Sequence, residues 1–275
     1  MSLTNKIDFA VVFKVKNANP NGDPLNGNRP RTNYDRIGEV SDVCIKRKIR
    51  NRLMEEGKDI FVQSDDNKLD DCKNLRERAE TILDSTKSSK ENAWLACEKW
   101  FDVRAFGQVF AYGGETKGAG VSIGVRGPVS VHTAFSLSPV DITSTQITKS
   151  VSGEGDGRKK GSDTMGMKHR VDEGVYFFCG SMNPQLATKT GFGDNDAETI
   201  KSILPRLFEN DESAARPAGS MEVVKVVWWQ HNCPHGQCSS AKVHRSLKVS
   251  LTDNLTVNVS CETINGLTPE IIEGY

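Results

Sequence analysis

The chain has 275 residues, and its 36 basic side chains balance its 36 acidic ones, so the formal net charge is zero. A neutral chain exerts no long-range attraction on polyanions, so any nucleic-acid site must be a local basic patch. The sequence contains no run of about 18 apolar residues and no signal-peptide block. We therefore expect one elaborated cytoplasmic domain without a membrane partner, and the seven scattered cysteines indicate reduced thiols rather than disulfides.

The first predicted element is a strand over residues 7–17. Its apolar side chains alternate with others at a period of two, which is typical of a strand with one buried face. The apolar positions are Ile7, Phe9, Val11, Phe13 and Val15. A loop is expected over residues 17–31, because Pro fixes φ while Gly and Asn accept positive φ.

The second predicted element is a basic helix that begins at Ser41 or Asp42. Its apolar side chains recur at helical spacing, and its basic side chains point to the opposite side. The apolar stripe is Ile45, Ile49 and Leu53, and the opposite face carries Arg47, Arg50 and Asn51. The segment KRKIRNR (46–52) is the densest positive charge in the chain.

The middle of the chain predicts an insertion followed by a projecting hairpin. Residues 59–124 are irregular, with helices expected near 75–83 and 93–101. Residues 126–137 return to strand-like alternation. A long polar hairpin then begins near residue 142, passes through the basic glycine-rich tip SGEGDGRKKGSD and returns through residues 165–182.

The last third of the chain predicts a helix and several strands. Apolar residues at helical spacing favour a helix over residues 194–209, which Pro205 should kink. Strand-like runs follow at 221–229, 247–251 and 255–261. The core order β-α-β-β-α-β predicts an α+β protein with a ferredoxin-like fold, as in RNA-recognition domains.

Two basic clusters are the candidate RNA contacts. The first is the helical run 46–52, and the second, on the predicted hairpin, comprises Arg158, Lys159, Lys160, Lys168, His169 and Arg170. The alternative for either cluster is an ordinary solvated face. The aromatic signature of an RNA-recognition motif is absent, so we expect contacts to the RNA backbone rather than base stacking on the sheet.

Several short runs, in order from residue 19 to residue 216, resemble the backbone subunit of the CRISPR type I-C Cascade complex, a family of the RAMP superfamily. These runs are NPNGDPLNGNRPR, SDVCIKRKIRN, FDVRAFGQVF, VRGPV, TMGMKH, TGFGD and SAAR. The resemblance implies an RRM-like palm (1–58, 125–140 and 171–275), a finger insertion (59–124) and a thumb hairpin (141–170). It also implies a non-catalytic subunit, without cofactor or metal, that polymerises head to tail along a crRNA and presents it to target DNA with other Cascade subunits.

The resemblance also implies individual RNA-binding residues. Asn21 and Arg31 would lie in the loop beside the RNA, while Lys46, Arg47 and Arg50 would hold guide phosphates. Arg126 and Gly127 would approach the RNA through the VRGPV turn. The remaining implied residues are Met165, Lys168 and His169 on the thumb, where the family displaces a guide base, and Arg216 in SAAR. Met165 has arm packing as an alternative role, and Arg216 has an ion pair at the edge of the core.

Two other functions remain open from the sequence. Asp23 could coordinate Mg²⁺ for RNA cleavage, as an acidic residue does in related subunits of other CRISPR types, or it could simply form a turn. The run HNCPHGQC, with His231, Cys233, His235 and Cys238 near His244, could hold zinc in a protein-interaction module. Its spacing matches no familiar zinc motif, so a loop of reduced cysteines is the other interpretation. Phosphate-loop and dinucleotide-binding spacings are absent from the sequence.

Overall fold

The structure is a computed structural model that describes residues 2–112, 121–150, 165–252 and 256–275. The helices are α1 (Asp42–Glu55), α2 (Leu75–Glu80), α3 (Ser89–Lys99), α4 (Phe101–Phe106), α5 (Pro184–Thr190), α6 (Asp194–Ile203) and α7 (Ser240–Ser246). The first strands are β1 (Ile7–Ala18), β2 (Gly22–Asp23), β3 (Arg29–Pro30), β4 (Ile37–Val40), β5 (Gly107–Tyr112), β6 (Val121–Arg126), β7 (Val129–Val131) and β8 (Ala134–Pro139). The remaining strands are β9 (Ile142–Thr148), β10 (Met165–Met182), β11 (Met221–Gln230), β12 (Leu247–Leu251), β13 (Val257–Cys261) and β14 (Glu270–Glu273).

An antiparallel sheet in the order β14-β11-β1-β10-β8-β4 forms the centre of the molecule. Strands β7 and β9 also pair with β10, which is long enough to serve several partners along its length. The mixed α/β class predicted from the sequence is therefore observed.

The larger core lies between one face of this sheet and two helices. Phe9, Val11 and Phe13 of β1 are buried against the apolar stripe of α1 and against α6. Phe13 stacks on Tyr176 of β10 with ring centroids 5.4 Å apart. Phe9, Val11 and Phe13 therefore pack on the apolar stripe of α1, because alternate residues of a strand lie on one face and residues at helical spacing lie on one side of a helix.

The other face of the sheet is covered as well, which corrects the prediction that β1 has only one buried face. Ala10 and Val12 are fully buried on this second side. They lie beneath Val243 of α7 and Val257 of β13, within two smaller apolar clusters. The alternation in β1 did not reveal this layer, because it is contributed by residues more than two hundred positions away.

The insertion after α1 has an apolar cluster of its own. Phe61, Trp100 and Phe110 pack together, with ring centroids 4.8 Å and 5.0 Å from Phe61. Helices α2 and α3 lie near the two helices predicted at 75–83 and 93–101, and α4 was not predicted. The sequence did not predict the β5–β6 hairpin, which completes this cluster through Phe110 and Ile123.

Two predicted elements are divided in the structure. The strand expected over residues 126–137 is two strands, β7 and β8. The helix expected to reach residue 209 ends at Ile203 and continues as a 3₁₀ turn over Leu204–Arg206, which contains Pro205. Proline has no N–H and its ring clashes with the preceding turn, so the α-helix stops there.

The predicted hairpin over residues 141–170, called the arm below, is described at its two strands. Residues Ile142–Thr148 pair in register with Met165–Val171, and β9 has no other partner strand among the described residues. The tip with Arg158, Lys159 and Lys160 lies outside the described residues. No helix in the described ranges is long and apolar enough to cross a membrane.

Candidate nucleic-acid interface

The loop before α1 is fixed to the start of that helix. The Asn21 side-chain oxygen accepts hydrogen bonds from the backbone N–H and the hydroxyl of Ser41, both at 2.9 Å. The Ser41 hydroxyl in turn caps α1 by accepting from the Cys44 N–H at 3.3 Å. Asn21 therefore positions the loop and the helix, because its carbonyl oxygen is engaged inside the protein.

Arg31 and Asp23 face each other within the same loop. One guanidinium nitrogen of Arg31 lies 3.4 Å from a carboxylate oxygen of Asp23, and Arg31 remains half-buried. The same oxygen accepts from the Leu25 N–H at 3.2 Å, so Asp23 forms a turn. Within the described ranges, no three His, Cys, Asp or Glu side chains are grouped so that they could hold a metal ion.

Asp211 gathers three cations, and we call this group the Asp211 cluster. Arg47 lies 3.9 Å from the Asp211 carboxylate, Arg216 lies 2.9 Å from it, and the fully buried Lys48 also pairs with it. Burial lowers the pKa of Lys48, and the charge of Asp211 opposes that shift. Arg47 is 40% exposed and lines a groove of about 460 Å³ together with Asn51 and Arg216.

Arg50 occupies an enclosed position between α1 and the insertion. Its Nε donates to Asp102 at 2.8 Å, its guanidinium lies 5.3 Å from the Phe106 ring centroid, and its side chain is only 12% exposed. Asp102 also accepts from the N–H groups of Phe61 and Val62. This geometry makes Arg50 a brace between two parts of the fold.

Every cation of the run 46–52 faces a carboxylate. Lys46 lies 3.1 Å from Asp42 one turn earlier, and Arg52 pairs with Glu55. Their spacing of four and three residues along a helix predicts these two local pairs. Lys48 pairs with Asp211, 163 residues away, and Arg50 pairs with Asp102, 52 residues away. No local pattern in the sequence predicts these two pairs.

Arg126 and Gly127 lie at the turn after β6. Arg126 is exposed and forms no ion pair with any described residue. A Cβ on Gly127 would lie 2.3 Å from the Ala105 carbonyl oxygen and 2.5 Å from the Gly107 nitrogen. Glycine is therefore required for this turn to pack against the junction of α4 and β5.

The root of the arm is joined to the Gly-rich loop. The Ser144 hydroxyl lies 2.8 Å from the His169 Nδ1 and accepts a 2.8 Å hydrogen bond from Arg29. Lys168 and Met165 are exposed on the arm. Arg29 and Ser144 were not predicted as contacts. Arg29 lies in the run NPNGDPLNGNRPR, but no pattern in the sequence pairs it with Ser144, which belongs to a different segment.

The Cys/His loop is held by the first strand. His231 is fully buried, its Nε2 lies 2.9 Å from Asp8, and its Nδ1 accepts from the Gln237 N–H at 2.9 Å. Burial opposes ionisation of Asp8, but hydrogen bonds from His231 and His244 outweigh it and hold the pKa of this carboxyl below its usual range. Cys233 and Cys238 are free thiols. Both ring nitrogens of His231 are thus engaged, Nε2 with Asp8 of β1 and Nδ1 with the loop itself.

Both comparisons at the level of sequence match CRISPR-associated proteins. A family model described as "CRISPR-associated protein Cas7" matches residues 5–265. A CRISPR-associated protein Cas7 of Haloferax volcanii is 24% identical over 248 residues, which cover 80% of this chain and 68% of that protein. This chain belongs to the Cas7 family.

Two solved structures are similar to this chain in part. One is a CRISPR RNA-guided surveillance complex, pre-nicking, with a TM-score of 0.48, 16% identity and coverage of 82% of this chain and 78% of that chain. The other is a CRISPR RNA-guided surveillance complex with a TM-score of 0.44, 17% identity and coverage of 82% and 68%.

Proposed function

We propose that this protein is a non-catalytic backbone subunit of a cytoplasmic CRISPR surveillance complex and that it binds the crRNA guide through the sugar–phosphate backbone. The observation that carries the proposal is the Cas7 family match across residues 5–265. The exposed cations near α1, at the β6 turn and on the arm support it, because arginine and lysine contact phosphates without reading sequence.

The proposal extends to the type I-C subtype on the short runs that resemble that family. It also assigns residues 1–58, 125–140 and 171–275 to a palm, 59–124 to a finger and 141–170 to a thumb. The strand order β11-β1-β10-β8, with α1 and α6 on one face, supports a ferredoxin-like palm. The separate apolar cluster of the insertion supports the finger.

The proposed RNA-binding residues can be ranked by how far their side chains are already exposed or engaged by contacts inside the protein. Arg47, Arg126 and Lys168 keep exposed cationic groups, and we assign phosphate contacts to them first. Lys46, Arg31, His169 and Arg216 are partly exposed and form a second group. Asn21 and Gly127 shape the adjoining backbone, Met165 offers an exposed apolar side chain on the arm, and Arg50 contributes through its brace to Asp102.

The covered second face of the sheet favours backbone binding over base stacking on the sheet. Trp229 and Val227 of β11 are buried beneath the layer formed by α7 and the β12–β13 hairpin. Bases would then stay free to pair with target DNA, as in systems where base pairing rather than protein reads the sequence. In the proposal, copies associate head to tail, with the arm reaching a neighbouring copy, and other Cascade subunits complete the complex.

Purification and binding measurements test this function. We expect RNA of uniform length to accompany the protein from its host, seen as excess absorbance at 260 nm. The double variant Arg47→Glu and Arg126→Glu should bind RNA more weakly, and its log–log salt slope should fall by about 0.7 per lost contact. Lys242→Glu is the matched control, because Lys242 is exposed on α7 in the layer over the second sheet face. An unchanged slope in the double variant contradicts the proposed interface.

The proposal of a non-catalytic subunit has its own test. Labelled RNA incubated with the protein and Mg²⁺ should stay intact, because the Asp23 carboxylate is engaged by Leu25 and Arg31. Cleavage that Asp23→Ala abolishes would instead establish a metal-dependent ribonuclease.

A further inference from the structure

Two apolar side chains project fully into solvent from the segment that precedes α1. Tyr34 has a relative exposure of 107% and Leu25 of 98%. Tyr34 forms no hydrogen bond, ring contact or ion pair with the described residues. Single exposed apolar residues are ordinary on a protein surface, so exposure alone assigns no role.

The turn that carries Tyr34 is tightly held. The Asn33 side-chain oxygen accepts from the N–H groups of Asp35 at 3.0 Å and Ile37 at 2.9 Å. Backbone hydrogen bonds from Asn33 to Ile37 and from Arg36 to Asn33 close the turn at 3.0 Å and 3.1 Å. The ring of Tyr34 is therefore displayed on a fixed backbone, which lowers the ordering entropy that a bound partner must overcome.

The turn is also fastened to the root of the arm. Arg36 pairs with Asp141, and the Arg36 carbonyl accepts from the Val140 N–H at 2.9 Å. The neighbouring turn with Leu25 is fastened in a similar way, because Arg29 donates to Ser144. Both projecting side chains thus flank the base of the arm on anchored turns.

One arginine near Tyr34 in the chain has no described ion-pair partner, which leaves a positive charge available to a phosphate. Arg31 lies three residues before Tyr34, and Arg29 forms no ion pair with a described carboxylate. Among the acidic groups of this part of the chain, Asp23 lies by Arg31, Asp141 lies by Arg36, and Asp35 follows Tyr34. An aromatic ring beside backbone-binding cations is the arrangement that proteins use to stack unpaired bases.

We propose that Tyr34 forms a nucleobase-stacking site that holds one unpaired base of the RNA beside the arm. This inference rests on the proposed function and adds a base contact outside the covered sheet. Because every base has a π face, the site accepts any base and adds affinity without sequence preference.

Binding to two matched oligomers tests the site. The probes are a labelled oligouridylate and a ribose–phosphate oligomer of the same length that lacks bases. Tyr34→Ala should weaken oligouridylate binding about fivefold or more, as for the loss of one stacked base, and should leave the abasic oligomer unaffected. Tyr34→Phe should bind like the parent protein, and Tyr34→Leu should lose as much as Tyr34→Ala, because stacking needs a flat ring.

Salt dependence separates stacking from phosphate contact. In a plot of the logarithm of the RNA-binding constant against the logarithm of the salt concentration, Tyr34→Ala should lower the binding constant without changing the slope. Arg47→Glu should reduce the slope by about 0.7. Three results for Tyr34→Ala would refute the stacking site. They are an equal loss of affinity for both oligomers, an affinity for oligouridylate equal to that of the parent, and a loss of association between copies of the protein without a loss of RNA affinity. If the parent protein binds neither oligomer, the proposed function fails along with it.

Discussion

The basic run of α1 and the basic residues outside it differ in how much of their charge is available. All five cations of residues 46–52 face carboxylates, and two of them, Lys48 and Arg52, are buried. Lys168 on the arm and Arg126 after β6 are exposed and have no ion pair among the described residues. The densest charge in the sequence is thus largely used to hold the fold together.

This difference shows that positive charge in a sequence is not the same as charge available to a ligand. Asp211 and Asp102 approach α1 from distant segments and neutralise its inner cations. A buried ion pair is costly to break, because removal of one partner leaves the other charge unpaired and without water. The inner cations should therefore control stability, and the outer ones should control RNA affinity.

The largest effect on stability should come from Asp211→Ala. It leaves Lys48 buried without its carboxylate and removes the partner of Arg216, so we expect a loss of about 3–5 kcal/mol in the free energy of unfolding, measured by urea titration. Asp42→Ala is the control, because its pair with Lys46 is partly exposed and should contribute less than about 1 kcal/mol. Equal losses in both variants would refute the distinction between inner and outer cations.

Arg50→Met should have the next largest effect. The substitution removes a charged hydrogen bond to Asp102, which still accepts hydrogen bonds from the N–H groups of Phe61 and Val62. We therefore expect the free energy of unfolding to fall by about 1.5–3 kcal/mol in the same urea titration. The salt slope of RNA binding should not change. A reduced slope with full stability would instead place Arg50 on the RNA.

Acid should weaken the insertion through the pair of Asp70 and Arg78. Two hydrogen bonds from Arg78, at 2.6 Å and 2.7 Å, lower the pKa of Asp70 to about 2. A lowered folded-state pKa gives stability that is present above the unfolded value near 4 and is lost as pH falls toward 2. Because Asp70 is about one-third exposed, solvent screening should limit this contribution to about 1 kcal/mol.

Unfolding measured at pH 6 and at pH 3 tests this pair. Asp70→Asn should be less stable than the parent at pH 6, and the difference between the two proteins should shrink at pH 3. A difference that stays the same at both values would show that the Asp70 charge does not contribute.

The smallest effect on stability should come from Lys168→Glu. The side chain is exposed and has no described ion pair, so the free energy of unfolding should change by less than about 0.5 kcal/mol. RNA affinity should fall, with a salt slope about 0.7 lower. Lys248→Glu serves as the control, because Lys248 lies on β12 in the layer over the second sheet face and should leave the slope unchanged. An unaltered slope in Lys168→Glu would remove the arm from the interface.

Much of the fold was predictable because its signals are local. The alternation of Phe9, Val11 and Phe13 and the helical spacing of Ile45 and Ile49 predicted β1 and α1 and the faces they bury. The β5–β6 hairpin, the division of residues 126–137 into two strands and the second buried face of β1 were not predicted. The division into β7 and β8 and the second buried face of β1 depend on partners from other segments, which local periodicity does not identify.

In the candidate site, too, local features were predictable from the sequence and contacts between distant segments were not. The sequence supplied the candidate basic residues, the Gly-rich loop and the arm. Its motifs resembled a type I-C Cascade backbone subunit, and the comparison across residues 5–265 shows the Cas7 family. The sequence did not reveal the Arg29–Ser144–His169 contact or the anchored turn of Tyr34. Those features require side chains from separate segments to meet.

The sequence by itself determined the strand and helix patterns, the family resemblance and the positions of the cations. Only the tertiary structure decided which cations remain free, because Lys48 and Arg50 meet carboxylates 163 and 52 residues away. Hydrophobic spacing acts within a few residues and can be seen in the chain, whereas charge neutralisation acts through space and depends on how the chain folds.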